Sequence, residues 1–117
     1  MTTKEVGDMA EEIAAEYLAS NGCRVLDKKF SYKQLGEVDI IVEEGKEVVF
    51  VEVRFRTSTV YGTPEQSLRP GKLRKIRRTA LMWLTINGRT RAACRFDVIA
   101  IDLVGGEPVI RHLRNAF

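Results

Sequence analysis

Apolar residues along the chain switch between helical and strand periods. Val6, Met9, Ala10, Ile13, Ala14, Tyr17 and Leu18 recur at three- and four-residue spacing, which predicts a helix over about residues 4–20, closed by Asn21-Gly22. Cys23 to Leu26 reads as a short strand and Phe30 to Leu35 as a polar-aromatic loop. Two β-branched runs, Val38 to Val42 and Val48 to Val53, flank Glu43 to Glu47 and signal a hairpin. Thr57 to Pro64 reads as a loop and Arg69-Pro70-Gly71 as a turn. A second helix is expected over about residues 72–86, with Leu73, Ile76, Ala80, Trp83 and Leu84 as its apolar stripe and Asn87-Gly88 at its end. Strands over Phe96 to Leu103 and Pro108 to Leu113 complete the order α-β-β-β-α-β-β. This order predicts an α/β (α+β) domain with a mixed central sheet flanked by helices, occupying residues 1–117 as one unit.

The hairpin brings chemistry into view. If Glu44 to Glu47 closes it, Val38 faces Val53, Ile40 faces Val51 and Val42 faces Val49, a continuous β-branched face that fixes the register. On the other face Ile41 meets Phe50, Asp39 meets Glu52 and Glu37 meets Arg54. Asp39 and Glu52 are thus expected about 5 Å apart at Cβ. Two carboxylates so placed among apolar neighbours repel and are desolvated, so a proton, a basic side chain or a divalent cation must compensate. One reading is a metal-bound pair with Arg54 beside it, suited to phosphodiester hydrolysis. The other is an ordinary charged sheet face with cross-strand ion pairs.

Composition removes several alternatives. Forty-four per cent apolar residues suffice for a core, and no apolar run is long enough to span a membrane. Met1 to Glu5 opens no apolar stretch, so no secretory signal is expected, and a cytoplasmic location follows as an expectation. Cys23, Cys94 and the single histidine, His112, cannot assemble a zinc site or a Cys-His or Ser-His catalytic set. Both cysteines are expected to be buried, and His112 to be structural or at the surface. Gly-rich nucleotide-cofactor motifs are absent.

Net charge is only +3, from 19 basic and 16 acidic residues, but its distribution is uneven. Between Glu65 and Asp97 no acid occurs, while Arg69, Lys72, Arg74, Lys75, Arg77, Arg78, Arg89, Arg91 and Arg95 fall there. Several lie on the second helix opposite its apolar stripe, an electrostatic footprint for a phosphate backbone. The plainer reading is a solvated helix face.

Gly36-Glu37-Val38-Asp39, Phe50 to Arg56 and Arg95-Phe96-Asp97-Val98 resemble the signature blocks of the bacterial YraN-type family. So do Glu11 to Ala14, Gly62 to Glu65, Lys72 and Asn115-Ala116-Phe117, all in order across nearly the whole chain. That family is placed with the PD-(D/E)xK nucleases, near restriction endonucleases and archaeal Holliday-junction resolvases. The resemblance implies a restriction-endonuclease-like fold and a Mg²⁺- or Mn²⁺-dependent endonuclease acting on DNA, branched DNA included. It implies that Asp39 and Glu52 bind metal together with a first-helix glutamate. Periodicity alone leaves Glu11 and Glu16 both on shoulders of the apolar stripe, and the family block selects Glu11. The catalytic set is then Asp39, Glu52 and Arg54, and the metal set Glu11, Asp39 and Glu52. Arg69, Lys72, Arg74, Lys75, Arg77 and Arg78 would contact nucleic acid. Arg54 stands where the superfamily motif ends in lysine; arginine cannot act as a general base but can stabilise charge on the scissile phosphate. Asp97 reads as a structural acid. A DNA-binding module without catalysis, or a dimeric interaction protein, are the alternatives; resolvase-like relatives imply a homodimer.

Overall fold

A capping box opens the chain. Thr2 Oγ1 accepts the Glu5 N–H at 3.1 Å and the Glu5 carboxylate accepts the Thr2 N–H, satisfying two donors at the start of helix α1 (Thr3–Ser20). The computed structural model describes residues 2–56 and 69–117. The expected loop over Thr57 to Pro64 and the Gly62 to Glu65 block lie outside the described residues. Strands β1 (Arg24–Ser31), β2 (Glu37–Glu44) and β3 (Glu47–Arg56) follow, then helix α2 (Pro70–Ile86), then β4 (Cys94–Val104) and β5 (Glu107–Leu113).

These strands form one sheet in the order β1-β2-β3-β4-β5, antiparallel except for the β3–β4 pair. The predicted α+β element order is therefore the observed one. The helices lie on opposite faces. Ala10, Ala14, Ala15 and Leu18 of α1 pack on Ile40, Val42, Val49, Val51, Ile99 and Ile101. Ile76, Ala80, Trp83 and Leu84 of α2 pack on Val38, Ile41, Val48 and Phe50. Alanine dominates the buried stripe of α1, which lets that helix approach the sheet closely. Met9, expected in the stripe, is exposed.

Several boundaries move. The strand expected to end at Leu26 runs to Ser31, because Lys28, Phe30 and Ser31 pair with β2 beyond an irregularity at Leu26. Part of the expected loop at 30–35 is thus strand. Asp27 turns its carboxylate to accept the Trp83 indole N–H at 3.1 Å, so a polar residue serves the α2 side. Helix α2 begins at Pro70, whose fixed φ and missing donor suit a first helical position. Gly45 and Lys46 alone form the hairpin turn, with Gly45 at φ +60°, a geometry that primed hairpin turns require. Cys23 is buried as expected, but Cys94 is exposed at the start of β4.

A buried polar network closes the sheet's far side. Asp97 is fully buried; its carboxylate meets Arg95, accepts the Asn115 N–H at 2.9 Å and lies 2.7 Å from His112 Nε2. His112 Nδ1 and the Tyr17 hydroxyl share a hydrogen bond at 3.1 Å, tying β5 to α1. An ionised carboxylate only accepts, so Nε2 carries the donated proton. Burial works to raise the Asp97 pKa, but the bonds from His112, Arg95 and the Asn115 amide outweigh it and hold it below the ordinary value. Asp97 and His112 are structural, as expected.

Candidate metal centre and basic helix face

The centre lies where the β2–β3 ladder ends. Pairing follows the predicted register from Glu44–Glu47 through Ile40–Val51 and stops there. The expected opposition of Asp39 with Glu52, Val38 with Val53 and Glu37 with Arg54 does not continue the ladder. Instead the Asp39 carboxylate turns inward and accepts the Val53 N–H at 2.8 Å, taking the place of a strand partner. Strand alternation slips at the same point: Val38 packs with the α2 cluster and Ile40 with the α1 cluster, although they are two residues apart. Lys29, which lies between the paired residues Lys28 and Phe30 on β1, adopts φ +52°. The slip coincides with the point at which Asp39 leaves the ladder.

This turn of Asp39 assembles three carboxylates. One oxygen each from Glu11, Glu37 and Asp39 lies within 4.8 Å of the others. A single hard-cation coordination sphere is roughly 4–5 Å across, so the set matches one such ion in donor chemistry and span. Among the described residues Glu11 Oε1 is buried without a hydrogen-bond partner, and Lys29 Nζ is its nearest cation at 3.9 Å. Such an orphaned oxygen is costly unless something binds it. Burial raises the Glu11 pKa, Lys29 opposes, and the charges of Glu37, Asp8 and Glu52 add to the rise. Asp39 is pushed up to about 7, first by burial and then by the charge of Glu52, with the Val53 amide opposing and Glu11 and Glu37 contributing. The charges of these acids thus penalise one another in the absence of a cation.

The register set Glu37 opposite Arg54, an ion pair in the plainer of the two readings, and here it is the third carboxylate. Its signal was present in the sequence: it sits two residues before Asp39, directly after Gly36. Glu52 stands apart from the triad. It is 5% exposed, and its Oε1 lies 3.2 Å from Lys72 Nζ and 3.6 Å from Arg54 Nε. Lys72, delivered by the first turn of α2, is therefore its nearest cation, ahead of Arg54. Glu52 still acts electrostatically on Asp39 and Glu11.

The basic stretch divides in three dimensions. Arg89 pairs with Glu43 at 2.8 Å, and Arg95 with Glu44, Glu47 and Asp97 at 2.8–3.1 Å, so both serve the fold. Lys29 is likewise taken up by Asp8. On α2, Arg74, Lys75, Arg77 and Arg78 are exposed, and no acid lies in the helix's first turn. Arg77 also rests over the Phe96 ring, 5.9 Å from its centroid. The helix that carries Lys72 into the centre thus presents the remaining cations outward.

Fold and site together define a small α+β domain with a carboxylate centre beside a basic helix. Residues 10–101 match the family described as Uncharacterised protein family UPF0102, and the chain belongs to that family. Similar proteins include UPF0102 proteins of Pelotomaculum thermopropionicum, 42% identical over 97% of this chain and 96% of the relative, and of Geobacter sulfurreducens, 43% identical over 97% and 89%. One from Moorella thermoacetica is 40% identical over the whole chain and 98% of its own length. No helix among the described residues is long and apolar enough to cross a membrane.

Proposed function

We propose that this chain is a metal-dependent endonuclease that hydrolyses phosphodiester bonds in DNA, of the PD-(D/E)xK kind that its motif blocks resemble. The carrying observation is the carboxylate triad Glu11, Glu37 and Asp39 with its orphaned buried oxygen, set beside Glu52, Lys72 and Arg54. Glu11, Glu37 and Asp39 would hold Mg²⁺ or Mn²⁺, with Glu52 adding negative potential. When bound, such an ion supplies Lewis-acid polarisation of a phosphoryl oxygen and a more acidic water. Water attack on phosphorus breaks one P–O bond, and the departing oxygen must end protonated. Lys72 and Arg54 would offset charge growing on the phosphoryl oxygens, since both are cationic and already aimed at this corner. Arg54 stays charged throughout and takes no proton. Arg69, Arg74, Lys75, Arg77 and Arg78 would hold the strand through its phosphates, giving affinity without base readout.

The test is cleavage of linear, nicked and branched DNA with Mn²⁺. Asp39→Asn and Glu37→Gln are expected to abolish it; undiminished cleavage by both variants overturns the proposal. A DNA-binding module without chemistry is the second reading, favoured by arginine at position 54. It predicts salt-sensitive binding, no cleavage, and no response to metal.

A further inference from the structure

A cleft of about 600 Å³ opens between the start of β2 and the first turns of α2. We propose that it takes one unpaired nucleotide of the substrate strand, adjacent to the phosphodiester at the carboxylate triad. The proposal deepens the nuclease reading and rests on it for the chemistry, while its binding step is separately measurable.

Three observations carry it. First, Glu37 both lines this cleft and belongs to the triad, so the two sites are contiguous. Second, the rim carries Arg69, Lys72 and Lys75 against that single acid. Lys72 is engaged with Glu52, whereas Arg69 and Lys75 have no carboxylate partner among the described residues. Third, the floor is apolar and closely built. Ile76 is 3% exposed, and a Cβ added at Gly36 would meet Lys75 Cβ at 3.4 Å. Small-molecule sites of roughly 300–1,000 Å³ bury one ligand unit, and this volume suits a sugar and base beside a phosphate. An intact duplex would use the rim cations through its outer backbone and leave the Ile76 floor unfilled. Only a base or sugar released from pairing makes use of both.

The experiment measures binding of the full chain to a fluorescein-labelled single strand and to the blunt duplex of the same sequence, by anisotropy in EDTA so that no cleavage intervenes. Gly71→Leu fills the cleft without altering charge. Among the described residues a Cβ added at Gly71 meets the tip of Arg74 at 3.8 Å, an ordinary van der Waals contact. Wild type is expected to prefer the single strand. Gly71→Leu is expected to weaken single-strand binding by about tenfold or more and to leave duplex binding within about twofold, as loss of a base contact predicts. Gly71→Ala should show a smaller loss in the same direction, and it serves if the leucine variant does not fold. Lys75→Gln is expected to weaken both. The proposal is overturned if the wild type binds duplex as tightly as single strand, or if the Gly71 variants weaken both equally or neither. Single-strand selectivity without metal-dependent cleavage leaves the cleft and removes the nuclease; cleavage without that selectivity does the reverse.

Discussion

Lys72 Nζ stands 3.2 Å from Glu52 Oε1, tying the first turn of α2 to β3 through a nearly buried carboxylate. Among the described residues, removing the lysine leaves Glu52 with the longer contact to Arg54 at 3.6 Å. Because Lys72 is itself 44% exposed, the loss is moderated by solvent. Lys72→Met is expected to lower stability by about 1–2 kcal/mol, and adding Glu52→Gln to restore most of it. Urea unfolding of both variants measures this; a double variant no more stable than Lys72→Met contradicts it.

Asp39 gives the apo protein a distinctive pH response. Its pKa in the fold is about 7 and its ordinary value 3.8, so the folded state holds a proton that the unfolded state releases. Its contribution to stability is therefore full below about pH 4 and is lost as pH rises through about 7. The groups facing it are Glu11, Glu37, Glu52 and the Val53 amide. Asp39→Asn is expected to remove this slope and to raise apo stability at pH 8 by roughly 2–4 kcal/mol. Thermal unfolding between pH 5 and 8 in EDTA measures both.

Mn²⁺ binding should mirror that behaviour. Calorimetric titration is expected to show proton release near pH 6.5 that fades by pH 8, with affinity rising over the same interval. Glu11→Gln and Glu37→Gln should each weaken binding by about tenfold or more. Affinity that is flat in pH, or indifferent to Glu37, contradicts the triad.

Asp97 has the opposite sign. Its pKa is held below 3.8, so its stabilisation is complete above that value and disappears as pH falls further. Asp97→Asn is expected to cost about 2–4 kcal/mol at neutral pH, because Arg95 and His112 lose a buried partner, and to flatten the acid limb of the unfolding curve. Acid titration followed by circular dichroism checks this.

Cations that look alike in the sequence should separate in salt. Arg74→Ala and Arg78→Ala are each expected to reduce the slope of log affinity for DNA against log salt by about one. Arg89→Ala and Arg95→Ala should instead lower stability, since Glu43, Glu44 and Glu47 hold them. A slope indifferent to Arg74 and Arg78 removes α2 as the phosphate-binding face.

Element order, both helix stripes and the hairpin register were legible, because each is a local period: Ile40 with Val51 and Val42 with Val49 follow from matching two β-branched runs. What escaped depends on tertiary placement. Extrapolating the register put Asp39 opposite Glu52, whereas the alternation slips between Val38 and Ile40 and Asp39 lies with Glu11 and Glu37. Phe30 and Ser31 looked like the start of a loop because the polar residues around them hide a pairing that β2 supplies. The acid-free stretch after Glu65 suggested one basic surface, yet the hairpin's acids, far away in sequence, fold back onto Arg89 and Arg95.

The two-residue turn at Gly45-Lys46 has a practical corollary. Just inside it, Arg24, Arg89 and Arg95 grip Glu43, Glu44 and Glu47, while Asp39 lies five residues away, about 17 Å along an extended strand. Inserted residues at this exposed tip would add only slowly growing loop entropy and leave the register unchanged. A single residue inserted between Val42 and Asp39 would reverse which side chains face each helix. The tip is thus the place for a spectroscopic label or affinity tag that reports on binding without disturbing the carboxylates.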